Sequence, residues 1–267
     1  VKNARGARQV VASEGGRSWI VKGYKTVYEL AQAAIRKKTS IAKVVARDGS
    51  AGTTDPAALL AAGRGLAPID HADPAHLLVT GTGLSHLGSA ATRDSMHQKV
   101  TGVAEETLTD SMKMFRMGLE GGKPKPGKWG VQPEWFYKGN GYVATAPGAA
   151  LLSPSFALDG GEEPEMAGIY VISDKGEPFR IGFAVSNEFS DHVTERVNYL
   201  YLAHSKLRPA SFGPEIRVGA PPADIRGTSR ILRKGKAIFE KPFLSGEDNM
   251  SHTFENLEYH HFKYGLF

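Results

Sequence analysis

The stretch from residue 163 to 191 contains two strand-like runs around a turn, and it constrains the fold more than any other part of the sequence. The runs 168–172 and 179–185 are rich in apolar, β-branched and aromatic residues. The segment 173–178 between them has the composition of a turn. This pattern predicts a β-hairpin with its tip at Lys175-Gly176.

The predicted hairpin brings acidic residues together. With this tip, Glu163 lies opposite Glu188, and Glu165 projects from the same face of the sheet because it is two residues from Glu163. A three-residue turn or a bulge would shift the register by one and break this arrangement. Carboxylates gathered on one face repel each other unless a cation lies between them. An oxygen-only cluster suits Mg²⁺, with Mn²⁺ or Ca²⁺ as alternatives; the other interpretation is a solvated acidic patch beside Asp159 and Glu162.

Composition excludes several classes of protein. The 267 residues include 31 Gly and 15 Pro, and this high content favours a fold rich in strands and turns. The sequence contains no Cys. Without Cys there are no disulfides, zinc ribbons, iron–sulfur clusters or Cys nucleophiles. The net charge of +5 comes from scattered basic residues, so we expect no nucleic-acid partner. The longest uncharged run, 139–158, contains Pro and Gly, so we expect no membrane association and a cytoplasmic protein.

The chain is predicted to begin with a small α/β module at 1–70, followed by a catalytic domain at 71–267. In the module, Thr26 and Glu29 form a capping-box pattern that predicts the start of a helix. A second short helix is predicted over 55–63, with Asp55 as the N-cap, Pro56 in the first turn and Gly63 as the C-cap.

The second part begins with a predicted strand at 77–80, which runs into a glycine-containing segment. A helix-like stretch at 91–117 follows and carries Arg93 and Arg116. Both arginines are candidate partners for a substrate carboxylate or an enolate; the alternative for each is a surface salt bridge.

Four short motifs occur in a consistent order: Phe136-Tyr137-Lys138, Glu163-Pro164-Glu165, Asn187-Glu188-Phe189-Ser190, and the stretch from Ser205-Lys206 to Phe212-Gly213-Pro214. Over residues 76 to about 220, the chain thereby resembles the fumarylacetoacetate hydrolase family. That family binds Mg, Mn or Ca through an E-x-E pair and a later Asn-Asp pair. The resemblance implies an α+β, mainly β fold, a mixed β-sandwich roll that forms a homodimer, with Glu163, Glu165 and Glu188 as metal ligands.

The sequence departs from the family pattern at three places. Glu188 stands where the family usually has Asp. In the family's G-x-N-Y-x-x-H motif, His86 stands at the Tyr position and Ser89 at the His position, so the usual water-activating base is missing. The family domain also continues, with further strands and a glycine-rich loop, beyond the point that corresponds to Phe267.

The family chemistry is activation of a 2-oxo acid by a divalent cation that stabilises an enolate. We therefore expect an enzyme acting on a small 2-oxo acid, a 2-keto-3-deoxy sugar acid, with dehydration favoured because Ser89 is a poor base. The alternatives are hydrolysis of a C–C bond in a 2,4-diketo acid and a non-catalytic basic binding protein.

The expected site residues follow from this reading. Lys206 and His86 are the candidate catalytic residues, and Arg93, Arg116 and Lys138 the candidate substrate-binding residues. His86 has the alternative of a hydrogen-bonded loop histidine. His192 either begins a helix next to Asp191 or supports the metal site from outside.

Overall fold

The computed structural model describes residues 1–88 and 108–265. Helices and several small sheets both occur in this part of the chain, which confirms the predicted α+β class, whereas the sandwich roll stays a prediction. The strands are β1 (Val11–Glu14), β2 (Arg17–Val21), β3 (Ser50–Thr53), β4 (Leu78–Gly81), β5 (Phe136–Asn140), β6 (Ala144–Thr145), β7 (Pro164–Ile172), β8 (Pro178–Glu188), β9 (Ala210–Phe212), β10 (Ile225–Arg233) and β11 (Lys236–Ser245). The helices are α1 (Val27–Arg36), α2 (Ile41–Asp48), α3 (Pro56–Ala61), α4 (Asp110–Gly121), α5 (His192–Val197), α6 (Leu202–Lys206) and α7 (Phe254–Phe262). None of these helices has the length and apolar character of a membrane span.

The chain forms two compact units, each made of two segments. The first unit contains Val1–Val79 and Tyr137–Ala220, and the second contains Thr80–Phe136 and Pro221–Phe267. The elements of the predicted N-terminal module thus belong to the same unit as the predicted carboxylate hairpin. The domain boundary at residue 70 stays a prediction.

A four-stranded sheet of the first unit has the order β6-β9-β8-β7. β7 and β8 are antiparallel neighbours, which confirms the predicted hairpin. The predicted position of its tip is wrong: the prediction centres the turn between Lys175 and Gly176, whereas the observed turn is centred on Lys175. Ile172 pairs with Pro178, and the N–H of Ser173 donates to the carbonyl of Glu177 at 2.9 Å, so Lys175 is the centre of the turn. A two-residue tip at Lys175-Gly176 would give a different register.

A β-bulge in β8 compensates for this shift. Tyr170 pairs with Arg180 but Ile169 pairs with Gly182, so Ile181 is an extra residue in β8. Beyond the bulge, the register is the predicted one, and the N–H of Glu188 donates to the carbonyl of Glu163 at 2.9 Å. The turn and the bulge shift the register in opposite directions, so the pairing at the acidic residues is the predicted one.

The alternation of β7 explains why the carboxylates lie at the end of a core face. Glu163, Glu165, Ala167, Ile169 and Val171 follow one another at intervals of two residues and so project from the same face. Ile169 and Val171 belong to a buried cluster with Ile69 and with residues of α1, β8 and β9: Ala31, Ile181, Ala184 and Phe212. The apolar half of the face, from Ala167 to Val171, therefore packs in the core and holds the strand in place. The acidic half, Glu163 and Glu165, lies at the end of the same face.

Helix α1 covers the apolar half. It begins at the predicted capping box, in which the Thr26 hydroxyl accepts from the N–H of Glu29 at 3.0 Å and the Glu29 carboxylate accepts from the N–H of Thr26 at 3.2 Å. The buried Gln32 side chain donates to the carbonyl of Ile172 at 2.9 Å. The second predicted helix is α3, capped by Asp55 and followed by Gly63 at φ 66°.

The second unit contains α4, the β10–β11 hairpin and α7. In α4, Phe115 is fully buried and packs with Leu108. Of the predicted helix at 91–117, the part from residue 110 is helical as α4, and residues 91–107 lie outside the described part of the chain. The predicted strand at 77–80 is observed as β4, which pairs with β5.

Candidate metal centre

Three carboxylates converge at the end of the β7–β8 hairpin. Glu163, Glu165 and Glu188 each offer an oxygen, and these oxygens lie within 4.8 Å of one another. The hairpin register explains the convergence, because Glu163 and Glu188 are direct neighbours across the strands and Glu165 is two residues further along. The predicted geometry of the cluster is therefore confirmed; its role as a metal site stays a prediction.

Lys206, the last residue of α6, lies against the cluster. Its Nζ atom is 2.7 Å and 2.9 Å from the two carboxylate oxygens of Glu163 and 3.4 Å from Oε1 of Glu188. Burial lowers the pKa of Lys206, but the charges of Glu188 and Glu163 outweigh burial and raise it above its ordinary value. Lys206 is therefore an ammonium group at neutral pH and acts as a cation and hydrogen-bond donor.

Lys138, on β5, lies behind Glu188. Its side chain is 1% exposed, and Nζ donates to the carbonyls of Phe189 at 2.6 Å and of Lys206 at 3.0 Å, with Oε1 of Glu188 at 3.5 Å. Burial lowers the pKa of Lys138, against the opposing charge of Glu188. Because all three N–H groups already face protein oxygens, Lys138 holds the end of β8 and α6 together. Its predicted contact with substrate stays a prediction.

Electrostatics distinguish the three carboxylates. Burial, followed by the charges of Glu188 and Glu163, raises the pKa of Glu165 to about 8. Burial also raises the pKa of Glu188, against the opposing charge of Lys206. Burial raises the pKa of Glu163 too, but its contacts with Lys206 and His192 outweigh burial and leave it below its ordinary value. Glu165 is therefore the carboxylate whose ionisation is disfavoured most, and a cation between the three groups would offset this cost.

This donor set fits a hard divalent cation. All three groups are carboxylates, which Mg²⁺, Mn²⁺ and Ca²⁺ prefer over nitrogen or sulfur ligands. The buried Glu165 carboxyl is unfavourable as an isolated charge, and a divalent cation between the carboxylates removes that cost. Glu163, Glu165 and Glu188 are thus the residues that would hold the ion.

The Asn of the second motif shapes the backbone beside the cluster. The N–H of Glu163 donates to Oδ1 of Asn187 at 3.1 Å, and Nδ2 of Asn187 donates to the carboxylate of Glu162. Ser190 is fully buried, and its hydroxyl donates to the carbonyl of Glu188 at 3.1 Å. These contacts fix both strand ends at which the carboxylates stand.

The segment after β8 adds side chains that sequence reasoning assigned no role or left open. His192 begins α5, as one interpretation had it, and its Nε2 also lies 2.7 Å from Oε1 of Glu163. Glu195, one turn later on α5, has an oxygen 4.0 Å from Nζ of Lys206. The sequence contains a signal for this arrangement: Asp191 is a good N-cap residue, so a helix is expected to begin at His192, and His192 and Glu195, three residues apart, then share a face of that helix. The sequence does not indicate that this face of the helix is turned towards the carboxylates.

Asp191 and Arg208 fix the start of α5. Asp191 is fully buried and accepts hydrogen bonds from the N–H groups of Thr194 at 2.9 Å and Leu158 at 3.0 Å, and from Arg208 at 3.0 Å. Burial raises the pKa of Asp191, but these hydrogen bonds together lower it well below its usual range. The pair is therefore ionised and rigid, and it sets where His192 begins the helix.

The other predicted site residues lie either outside the unit that contains the carboxylates or outside the described residues. His86 and Arg116 belong to the second unit, and Arg93 and Ser89 lie outside the described residues. Nε2 of His86 lies 3.4 Å from the hydroxyl of Ser245, and burial lowers the pKa of His86. Arg116 lies 3.9 Å from Glu120 on the same helix. Their roles toward substrate stay predictions.

Comparisons with known proteins establish the fold. No family model matches the chain, and no curated protein is similar to it in sequence. Among solved structures, it is similar to the apo form of 2-keto-3-deoxy-D-arabinonate dehydratase, with a TM-score of 0.63, 22% identity, and coverage of 96% of this chain and 78% of that chain. The same enzyme complexed with magnesium and 2,5-dioxopentanoate gives a TM-score of 0.59 at 18% identity, with coverage of 93% and 76%. At these identities, the likeness is one of fold.

Proposed function

We propose that this chain is a divalent-metal-dependent enzyme that acts on a small 2-oxo acid. The observation that carries the proposal is the cluster of Glu163, Glu165 and Glu188, whose oxygens lie within 4.8 Å of one another beside the ammonium group of Lys206. An acidic cluster in which Glu188 is buried and Glu163 and Glu165 are half-buried is costly as a purely structural feature. Mg²⁺ is the proposed cation, with Mn²⁺ and Ca²⁺ as alternatives.

The proposed substrate is a 2-keto-3-deoxy sugar acid, and the proposed reaction is its dehydration. The similarity in fold to a dehydratase of this substrate class, of which one structure holds magnesium and 2,5-dioxopentanoate, supports this choice. The replacement of the family's water-activating histidine by Ser89 supports it as well, because dehydration needs no attacking water. A homodimer in the cytoplasm is part of the same proposal.

The protein groups would contribute in different ways. The cation, when bound, would polarise the carbonyl of the 2-oxo acid and stabilise negative charge on its oxygen. Glu163, Glu165 and Glu188 bind the cation, and Lys138 keeps Glu188 in place. Lys206 supplies a fixed positive charge and a donor at the edge of the cluster, and its raised pKa keeps it from acting as the base.

Product analysis tests the proposal. The purified protein is incubated with Mg²⁺ and, separately, a 2-keto-3-deoxy pentonate and a 2,4-diketo acid, and the products are identified by mass spectrometry. The expected result is a product of the sugar acid that is lighter by one water, formed in the presence of Mg²⁺ and lost after treatment with a chelator. Cleavage of the diketo acid into two smaller acids, without turnover of the sugar acid, would replace dehydratase with hydrolase. The variant Glu188→Gln serves as the inactive control.

A further inference from the structure

An imidazole connects the carboxylate cluster to an acidic residue outside it. Nε2 of His192 lies 2.7 Å from Oε1 of Glu163, and Nδ1 lies 3.7 Å from Oδ2 of Asp159. An ionised carboxylate can only accept a hydrogen bond, so Nε2 carries the proton and donates it to Glu163. Oε1 of Glu163 thus receives two donors, from His192 and from Lys206.

The two donors constrain Glu163 in different ways. Nζ of Lys206 lies within 2.9 Å of both oxygens, and an ammonium group on a flexible stem follows the carboxylate through small rotations. The imidazole is planar, is fixed at the first residue of α5, and meets one oxygen only. It therefore adds a second restriction on the rotation of the carboxylate to the one that Lys206 provides.

Close packing holds the imidazole in place. A Cβ atom at Gly161 would lie 2.4 Å from both Cε1 and Nδ1 of His192, far inside van der Waals contact. The backbone of Gly161 cannot move away, because it exchanges two hydrogen bonds with Ser190, at 2.8 Å and 2.9 Å. Only glycine leaves room for the ring between this backbone and Glu163.

We propose that His192 is a positioning residue of the cluster: it fixes the side chain of Glu163 for a divalent cation, and Gly161 provides the space for its ring. The inference rests on the proposed metal site. Hydrogen bonds from neighbouring groups to a ligating side chain typically change metal affinity 10- to 100-fold. Oδ2 of Asp159, at 3.7 Å from Nδ1, is beyond hydrogen-bond distance.

Calorimetric titration with Mg²⁺, and with Mn²⁺ as a second probe, tests the inference. His192→Ala removes the donor, and we expect the affinity to fall by about 10- to 100-fold while the fold is retained. His192→Gln returns an N–H at a similar distance from the backbone and is expected to recover much of the affinity. His204→Ala is the matched control, because His204 is an exposed histidine on α6 and none of the described hydrogen bonds or ion pairs joins its ring to the carboxylates.

Gly161→Ala provides an independent test, because it displaces the ring without changing a polar group. It is expected to weaken Mg²⁺ binding in the parent protein and to have no further effect in the His192→Ala background. Parent affinity in either His192→Ala or Gly161→Ala overturns the inference. A parent protein that binds neither Mg²⁺ nor Mn²⁺ overturns the proposed function instead, so the two failures are distinguishable.

Discussion

A single ammonium group spans both oxygens of one carboxylate: Nζ of Lys206 lies 2.7 Å from Oε1 and 2.9 Å from Oε2 of Glu163. The same atom lies 3.4 Å from Glu188, so one cation links the two strands of the hairpin. The side chains of Lys206 and Glu163 are both largely buried, so the interaction between them is shielded from solvent. The ion pair is therefore part of how the cluster is held together as well as a candidate element of the chemistry.

The first prediction separates these two roles of Lys206. Lys206→Met removes the charge and keeps most of the volume. We expect kcat/KM for the sugar acid to fall about 100- to 1000-fold, as for loss of one donor to a developing negative charge. Mg²⁺ binding is expected to persist, because the three carboxylates remain. Steady-state kinetics and calorimetry on the same preparation measure both, and Lys206→Arg is the charge-retaining comparison. Turnover within tenfold of the parent would contradict the assigned role.

The second prediction concerns the ligands. Glu165→Gln and Glu188→Gln each remove one carboxylate, and we expect either change to abolish Mg²⁺ binding in calorimetry. The fold should remain, and the metal-free Glu165→Gln protein should melt at or above the Tm of the metal-free parent. The reason is that burial and like charges disfavour ionisation of Glu165, whereas a neutral amide has no such cost. Glu177→Gln, at the exposed end of the same hairpin, is the control. Unchanged metal affinity in both variants would rule out the site.

The third prediction concerns the bulge that restores the register. Gly182 has φ 154°, and a Cβ atom there would lie 2.3 Å from the carbonyl oxygen of Arg217. Gly182→Ala is therefore expected to destabilise the protein by more than about 2 kcal/mol. Gly176→Ala, in the turn at φ 77° with open space around it, should cost about 1 kcal/mol. Denaturant unfolding compares the two; equal stabilities would show that the bulge is not constrained as described.

The fourth prediction is an acid-dependent loss of stability from the second unit. Asn256 accepts from the N–H of Gly130 at 2.8 Å, donates to the carbonyl of Val131 at 2.9 Å, and places the same amino group 3.1 Å from Nδ1 of His252. The amide orientation is thus fixed, and Nδ1 must accept, which requires a neutral imidazole. Burial, followed by the charge of His260, lowers the pKa of His252 to about 4.

The sign and size of this effect follow from linkage. The folded-state pKa of His252 lies below the unfolded value of 6.5, so its contribution is complete above pH 6.5 and is lost as the pH falls toward 4. The difference corresponds to about 3 kcal/mol. Thermal unfolding between pH 7 and pH 4 should therefore show a smaller loss of Tm in His252→Asn than in the parent. Parallel pH profiles for the two proteins would contradict the prediction.

The hairpin illustrates how far the sequence alone could lead. The alternation of β7 and the turn composition were enough to predict two paired strands and to place Glu163, Glu165 and Glu188 on one face. The combination of a three-residue turn around Lys175 and a bulge at Ile181 was not predictable, because the bulge lies beside Gly182, which the backbone of Arg217 approaches from a distant part of the chain. The sequence analysis considers each feature alone as a shift of the register, whereas the structure contains both, and they offset each other.

The rest of the site depends on contacts that are distant in sequence. Lys206 was assigned through a resemblance, but its pairing with Glu163 joins residues 43 positions apart. The contact between His192 and Glu163 likewise requires the direction in which α5 leaves β8, which is set by the buried Asp191–Arg208 pair. Helix caps such as Thr26 with Glu29 were predictable because all their partners are local.

One face of β7 contributes both to the apolar core and to the carboxylate cluster. A slip of this whole strand by one residue against β8 would turn Ile169 and Val171 away from the core at the same time as Glu163 and Glu165 leave the cluster. A variant with a shifted register would therefore fail to fold before its lost chemistry could matter. The packing of Ile169 and Val171 in the core therefore also holds positions 163 and 165 at the cluster.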